Sequence, residues 1–295
     1  MRSGATPELA IVLVSFRSRE RVLDALALLM RDPSSERWEI TVVDNASDDG
    51  TVSALTTAFP RVRVIANDRN RGFAAAVNQG VAATTAPFIA LHSGAERAGP
   101  GTYDRLAAVL SSDPRIAAVA PLVLNPDGSP QRHGLFRPRP RTAFVVLMGL
   151  ARIPFLRREA ERYYGPHEPG PPIDVEQVSG ASMVLRRAAF DSIGPLDESF
   201  FMYCEDVDWC LRAKAAGWRI VFVPSVEVRR EKSISSRRAS GATIRLYYRS
   251  LRRFYSKHHR RSPAPVRALY LMLGWAMEQR ALAINALRRE KGLRY

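Results

Sequence analysis

The stretch Ile40-Thr41-Val42-Val43-Asp44-Asn45-Ala46-Ser47-Asp48-Asp49-Gly50-Thr51 leads an apolar strand into a polar turn and a helix start. The same alternation of apolar and amphipathic segments extends from residue 9 to about residue 90. It predicts strands at residues 11–14, 40–43, 62–65 and 88–91, and helices at residues 19–30, 51–58 and 74–82. Strands that alternate with helices are typical of a parallel sheet covered on both faces. The sequence therefore predicts an α/β fold whose ligand binds beyond the carboxyl ends of the strands, where Ser15, Asp44 and His92 follow apolar runs.

A second run of elements extends from about residue 115 to residue 223 and is interrupted by a segment rich in Pro, Gly and Arg at residues 121–172. It predicts strands at residues 116–119, 182–185 and 220–223, and a helix at residues 206–216. We expect one α/β domain over residues 1–235 and a basic helical extension over residues 236–295.

Chain length and composition indicate a globular, intracellular protein. The 295 residues, 46% of them hydrophobic, suffice for a full core. The N-terminal apolar run at residues 11–14 is too short for a signal peptide, so we expect a cytoplasmic protein. Cys204 and Cys210 lie in a segment predicted to be helical, where their spacing is too long for a disulfide.

The net charge of +15 is concentrated at the C-terminal end, where residues 229–295 contain 18 Lys and Arg but only three acids. Such a tail attracts phosphate groups, either of nucleic acid or of anionic lipid, although it could also be a solvated basic surface. No recognition helix, zinc or RNA-binding signature accompanies the charge, so we expect no nucleic acid partner. Two short apolar stretches, at residues 143–150 and 268–277, suit either buried helices or helices at a membrane interface. An anionic membrane surface is therefore the expected partner of the tail.

A second motif is Asn70-Arg71-Gly72-Phe73-Ala74, which precedes a predicted helix. Gly72 would allow close backbone approach near a helix N-terminus, a favourable place for a diphosphate, and Arg71 adds positive charge. An ordinary glycine at a helix start is the alternative.

A third motif joins Gly180-Ala181-Ser182 to the acidic run Cys204-Glu205-Asp206-Val207-Asp208-Trp209. A positioned carboxylate can remove the proton of an attacking hydroxyl, and we expect Glu205 and Asp208 to raise the proton affinity of Asp206 by like-charge repulsion. The alternative is a solvated acidic helix start favoured by the helix dipole.

Together the three motifs, over residues 11–230, resemble family 2 glycosyltransferases, particularly the rhamnosyltransferase-like branch of bacterial cell-wall and polysaccharide biosynthesis. The resemblance implies a GT-A, Rossmann-like mixed sheet and inverting transfer of a sugar, favouring rhamnose, from a dTDP- or UDP-sugar to a saccharide or lipid-linked acceptor. On the matching positions it implies a catalytic pair, Glu205 and Asp206, with Asp206 as general base. It implies donor-binding residues at Asp44, Asn45, Arg71, Gly72 and Asn78.

The sequence departs from the family pattern at two places. Where the family has an Asp-x-Asp motif for a divalent metal, the chain has His92-Ser93-Gly94, and Glu96 is a displaced substitute. A Mg²⁺ or Mn²⁺ cofactor is therefore an open question, with its ligands unknown. The family also tends to have a His within residues 228–231, where this chain has Arg229 and Arg230.

Two interpretations of these departures remain open. Arg229, Arg230 and Lys232 could stabilise the leaving diphosphate without a metal, because fixed cations do the same electrostatic work. Alternatively, the protein is a catalytically silent glycosyltransferase-like interaction protein.

Overall fold

The structure is a computed structural model that describes residues 7–137, 142, 145–146, 150–231, 241–260 and 263–290. Its strands are β1 Leu9–Ser15, β2 Trp38–Asp44, β3 Arg63–Ala66, β4 Phe88–Ser93, β5 Glu96–Ala98, β6 Ile116–Leu124, β7 Ile173–Val175, β8 Ser182–Arg186 and β9 Arg219–Arg230. Its α-helices are α1 Arg19–Leu29, α2 Thr51–Ala58, α3 Phe73–Ala82, α4 Thr102–Ser112, α5 Pro154–Tyr164, α6 Arg187–Ile193, α7 Glu205–Ala215, α8 Gly241–His258 and α9 Ala264–Glu290, with short 3-10 helices at Pro33–Arg37 and Leu150–Arg152.

One mixed sheet organises the chain, with the strand order β3-β2-β1-β4-β8-β6-β9-β5 and with β7 paired to β9. Strands β1 to β4 are parallel, whereas β8 runs antiparallel to both β4 and β6. Because β6 and β9 run parallel to each other, the carboxyl ends of β1, β2, β4, β6 and β9 lie along one edge, together with the start of β8.

Helices cover both faces of the sheet, as the alternating pattern predicts. Buried side chains of α1, α2 and α4 pack on one face and those of α3, α6 and α7 on the other. The largest fully buried side chain, that of Trp209 on α7, stacks on Phe190 of α6. The expectation of an α/β mixed sheet with helices on both faces is confirmed, although the sequence pattern missed the short strands β5 and β7 and the helices α4, α5 and α6.

The basic C-terminal segment forms a helical hairpin of α8 and α9. The ring of Tyr255 on α8 stacks on that of Tyr270 on α9 at 5.2 Å, and Arg252 on α8 pairs with Glu278 on α9. Residues of α8 also bury Phe200, which precedes the acidic motif of residues 204–209 in sequence. The expected domain boundary at residue 235 lies outside the described residues, and α8 is packed against the α/β unit.

None of the helices in the described part of the chain is long and apolar enough to cross a bilayer. The apolar stretch predicted at residues 143–150 lies mostly outside the described residues. The stretch at residues 268–277 is part of α9, where Met277 is buried and Met272 is exposed. Cys204 and Cys210 are both free thiols.

Candidate active site

The predicted site residues meet at the carboxyl edge of the sheet. Ser15 at the end of β1 pairs in register with Asp44 at the end of β2. On the other side of β1, Ser182 at the start of β8 pairs with His92 of β4. Parallel strand ends that meet in this way form a concave edge suited to a ligand.

The loops along this edge contain residues in the left-handed backbone region. Arg17 after β1, Ala46 after β2, and the consecutive residues Tyr203 and Cys204 before α7 have φ between +48° and +74°. Side chains other than glycine rarely adopt this conformation, and such strain concentrates at functional sites. The backbone strain thus supports the location of the site that the motifs predict.

Asp44 is buried and holds the turn that follows β2. Its Oδ2 accepts from the backbone N–H of Ser47 at 2.8 Å, and its Oδ1 accepts from the Ser47 hydroxyl at 2.6 Å. Farther along the turn, Asp49 Oδ1 accepts from Thr51 N and Thr51 Oγ1 at the start of α2. Each Asp44 oxygen keeps a further lone pair.

Asn45 connects the two predicted donor-binding motifs. Its Nδ2 donates to the Gly72 carbonyl at 3.0 Å, and its Oδ1 accepts from Asn67 Nδ2 at 2.9 Å. The neighbouring Arg71 is exposed at the same edge. Asn45 therefore positions the backbone around Arg71.

The group that approaches Gly72 closely is the backbone of Phe201, which belongs to the same chain. Gly72 has φ of +86°, and a Cβ added there would lie 2.5 Å from the carbonyl oxygen of Phe201. The next residue, Phe73, donates its backbone N–H to that carbonyl at 2.7 Å. Glycine is required here because the loop before α7 packs against it, which differs from the expected approach to a diphosphate.

Asn78 has a structural partner. Its Oδ1 accepts from the backbone N–H of Leu196 at 3.0 Å, and its Nδ2 donates to the carbonyl of Leu196 at 2.9 Å. This bidentate contact holds the loop that leads to α7, so the structure favours a structural function for Asn78.

Asp206 lies partly exposed in the first turn of α7. Its Oδ2 accepts from the backbone N–H of Gly180 at 2.7 Å, and its Oδ1 accepts from that of Val207 at 2.8 Å. A Cβ at Gly180 would approach that of Asp206 to 2.8 Å, so glycine is needed for this contact. Burial raises the pKa of Asp206, while the backbone donors and the nearby charge of Arg230 oppose the rise. The carboxylate is thus fixed in position and made more basic.

Glu205 is buried beside Asp206, and no described residue bonds its Oε2. Burial first, and then the charge of Asp206, raise its pKa well above the usual range. Low polarity around the pair favours one shared negative charge rather than two.

Asp208, the third acid of the motif, is fully buried and paired. Its carboxylate bonds Arg212 at 3.0 Å on the same helix, and Lys257 at 2.7 Å and His258 at 2.8 Å on α8. Burial raises the pKa of Asp208, but the hydrogen bonds from these three side chains and the charge of Lys257 outweigh it and lower the pKa below its usual value. The expected like-charge effect of Asp208 on Asp206 is therefore wrong, because cations offset the charge of Asp208.

Sequence reasoning missed Lys257 and His258. The spacing of Asp208 and Arg212 is a readable helical ion-pair signal, but about fifty residues separate Asp208 from its partners on α8.

The residues at the Asp-x-Asp position do not fit a divalent metal. His92 is buried, its Nδ1 bonds the hydroxyl of Tyr103 at 2.5 Å, and burial with nearby guanidinium charge lowers its pKa to about 3. Glu96 is fully buried, pairs with Arg230 at 2.5 Å and has its pKa raised by burial. Gly94 offers no side chain, and the described residues contain no group of three His, Cys, Asp or Glu side chains that could hold a metal ion.

Arg229 and Arg230 lie on opposite faces of β9. Arg230 pairs in register with Glu96 and its side chain is 17% exposed, whereas Arg229 pairs with Arg97 and is exposed. Successive residues of a strand point to opposite faces, so the two arginines cannot act at one point as expected. The charge of Arg230 acts on Asp206, whereas Lys232 lies outside the described residues.

Comparisons with known proteins agree with this geometry. The family model described as glycosyltransferase like family 2 matches residues 7–252. An N-acetylglucosaminyl-diphospho-decaprenol L-rhamnosyltransferase of Mycobacterium tuberculosis is 31% identical over 254 residues, which cover 81% of this chain and 80% of that protein.

Two solved structures share the fold. A mannosyltransferase of Pyrobaculum calidifontis, in complex with GDP-Man and Mn²⁺, has a TM-score of 0.59 at 17% identity and covers 98% of this chain and 80% of its own. GalNAc-T7 with UDP, GalNAc and Mn²⁺ has a TM-score of 0.61 at 15% identity over 96% of this chain and 58% of its own. The GT-A fold, the family model and the rhamnosyltransferase relative lead to one conclusion: this chain is a glycosyltransferase and belongs to family 2.

Proposed function

We propose that the protein is an inverting glycosyltransferase that moves a sugar, rhamnose by resemblance, from a dTDP- or UDP-sugar to a lipid-linked or polysaccharide acceptor. The main support for the proposal is the position of Asp206, whose carboxylate is held at the carboxyl edge of the sheet by two backbone N–H groups. The name of the Mycobacterium tuberculosis relative favours a polyprenyl-diphosphate saccharide as the acceptor.

Asp206 acts on the acceptor. Its carboxylate takes the proton of an acceptor hydroxyl while the hydroxyl oxygen forms a bond to the anomeric carbon of the donor. The bond between that carbon and the diphosphate oxygen breaks, and the nucleoside diphosphate leaves with the electron pair. Because one displacement occurs from the face opposite the leaving group, the anomeric configuration inverts.

The donor lies along the ends of β1 and β2. Asp44 offers its remaining lone pairs to a pyrimidine N–H, and Asn45 holds the backbone that presents the exposed Arg71 to the diphosphate. Gly72 contributes by letting the loop at Phe201 close beside this site.

Arg230 stabilises the leaving diphosphate. It is the cation whose charge acts on Asp206, and Glu96 holds its guanidinium at the end of β9. A fixed positive charge aimed at a developing negative charge lowers the barrier without reorganisation at the moment of reaction.

The test is product formation from a panel of UDP- and dTDP-sugars with a diphosphate-linked GlcNAc lipid, with and without EDTA. We expect transfer that survives EDTA. A matched variant is Gly94→Asp, because a Cβ there would lie at an ordinary 3.6 Å from Val22 N. Loss of wild-type turnover in EDTA would mean that Arg230 does not replace the metal. The same conclusion would follow if the wild type were inactive and the Gly94→Asp variant were active only with a divalent metal. No product with any donor would favour the silent interaction protein.

The site of action that we propose is the inner face of the cell membrane, with the protein in the cytoplasm and bound peripherally. A polyprenyl-linked acceptor remains in the membrane, so an enzyme that uses it works at the surface. The basic residues of α8 and α9 suit an anionic surface.

A further inference from the structure

The outer face of α9 is an exposed apolar stripe. Large side chains spaced three residues apart are exposed: Leu269 by 51%, Met272 by 66% and Trp275 by 61%. At 100° per residue, the positions within about 60° of Met272 carry no charge from residue 265 to residue 287, and Glu290 follows on the same side at the end of α9. The uncharged positions are Pro265, Ala268, Leu269, Met272, Trp275, Ala276, Gln279, Ala283, Ala286 and Leu287. The stripe, which we call the outer stripe, extends for about 33 Å.

Packing within the hairpin does not use the outer stripe. The opposite side of α9 contacts α8 through Tyr270, Leu273, Met277 and Ala281. An exposed apolar surface of this length marks a binding surface, since monomeric soluble proteins rarely expose contiguous apolar patches of such size.

The charge of the hairpin indicates which kind of partner binds the outer stripe. Arg245 and Arg249 are exposed on α8, and Arg260 is exposed just after the end of α8. Glu278 is the only acid among the described side chains of the hairpin, and it is buried against Arg252. Two copies of the hairpin would bring like charges together, whereas an anionic lipid surface offers both an apolar layer and negative charge.

A basic pocket lies at the turn of the hairpin, close to the start of α9. It has a volume of about 610 Å³. Its lining includes four cationic side chains, those of Arg137, Lys214, Lys257 and Arg260, together with His258 and one acid, Glu176. Such a pocket suits a phosphate group, and Arg260 lies four residues before Ala264, where α9 begins.

We propose that the outer stripe lies in the headgroup region of an anionic phospholipid bilayer, with Trp275 at the interface, α8 cations toward lipid phosphates and one headgroup phosphate in the basic pocket. This inference rests on the proposed function for its membrane-bound acceptor. A helix with an apolar face beside cationic residues lies in the interface plane, and Trp is the side chain most suited to that depth.

The test uses the full chain and vesicles of phosphatidylcholine alone or mixed with phosphatidylglycerol at three to one. We expect the wild type to cosediment with the mixed vesicles, and brominated lipids to quench the fluorescence of Trp275. Leu269→Ser with Trp275→Ser should reduce binding about tenfold or more, and Arg249→Ala with Arg260→Ala should reduce binding and weaken its salt dependence. Both pairs are surface changes, so circular dichroism should report an unchanged fold.

Matched controls are Phe155→Ser, an exposed apolar residue on α5 that is 74% exposed, and Arg105→Ala on α4. Neither should alter vesicle binding. Equal binding by the stripe variant and the wild type, an absence of quenching, or a dimer that Trp275→Ser dissociates would overturn the proposal, the last in favour of a second copy. Vesicle binding does not require turnover. A protein that binds vesicles but transfers no sugar would therefore contradict the proposed function and leave the membrane-binding proposal standing.

Discussion

Replacing Asp206 by Asn tests the base assignment most directly. A positioned general base contributes about 10²- to 10⁴-fold to a rate, which corresponds to about 2.7–5.5 kcal/mol in the barrier. The Asn side chain keeps the shape of Asp but cannot take the proton at neutral pH, so we expect kcat to fall within that range. The donor Kd should change less than threefold.

The structure adds a second effect of this substitution. Both Asp206 oxygens accept from backbone N–H groups, of Gly180 and Val207, and an Asn amide can satisfy only one of them. The other N–H would lose its acceptor at a cost of about 1–3 kcal/mol. Because this is less than the roughly 5–15 kcal/mol that holds a domain folded, the variant should fold with a lowered Tm.

The matched control is Glu205→Gln at the neighbouring position. Burial already favours the protonated form of Glu205, which Gln resembles, so its loss of kcat should be at least about tenfold smaller than that of Asp206→Asn. Single-turnover product formation with saturating donor separates chemistry from binding, and calorimetry gives Tm. Turnover of the Asp206→Asn variant within threefold of the wild type, in a protein with a lowered Tm, would refute the assignment.

Three other changes follow from the geometry. Gly72→Ala should lower the free energy of unfolding by about 3 kcal/mol or more in urea titrations, because it combines a φ of +86° with a contact of 2.5 Å to Phe201; a loss below 1 kcal/mol would mean that the loop moves freely. Glu205 binds its proton more tightly in the folded protein, so its contribution to stability falls as pH rises above its unfolded pKa of about 4.3 toward its raised folded pKa. Glu205→Gln should therefore flatten the dependence of the free energy of unfolding on pH in this range. Parallel pH profiles for the variant and the wild type would contradict the raised pKa. Arg230→Ala should abolish EDTA-resistant turnover while Arg229→Ala retains it, since the two point to opposite faces of β9; equal losses would contradict this.

The sequence predicts elements whose signal is local. Alternation of apolar strands and amphipathic helices predicts β1 to β4 and the edge where Asp44 and His92 lie, because the period of each element can be read from neighbouring residues. The acidic motif predicts the position of Asp206 for the same reason, since it depends on a few adjacent residues at a helix start.

Contacts between distant residues could not be read in this way. The partners of Asp208 on α8, the approach of Phe201 to Gly72 and the pairing of Glu96 with Arg230 each join segments separated by about fifty residues or more. Each depends on tertiary packing, which also explains why burial, rather than the like charges that the sequence suggests, raises the pKa of Asp206. Asp44, Arg71 and Arg230 keep functions that only binding and kinetics can test.

The ion pairs of Asp208 affect how the protein can fold during its synthesis on the ribosome. Helix α7 is synthesised long before Lys257 and His258, yet the buried carboxylate of Asp208 on this helix bonds both side chains, and the charge of Lys257 offsets part of the cost of its burial. A nascent chain ending near residue 235 would leave that charge with Arg212 alone and leave Phe200 uncovered. Complete packing and charge pairing around α7 therefore wait until the C-terminal hairpin has been synthesised and docks on it.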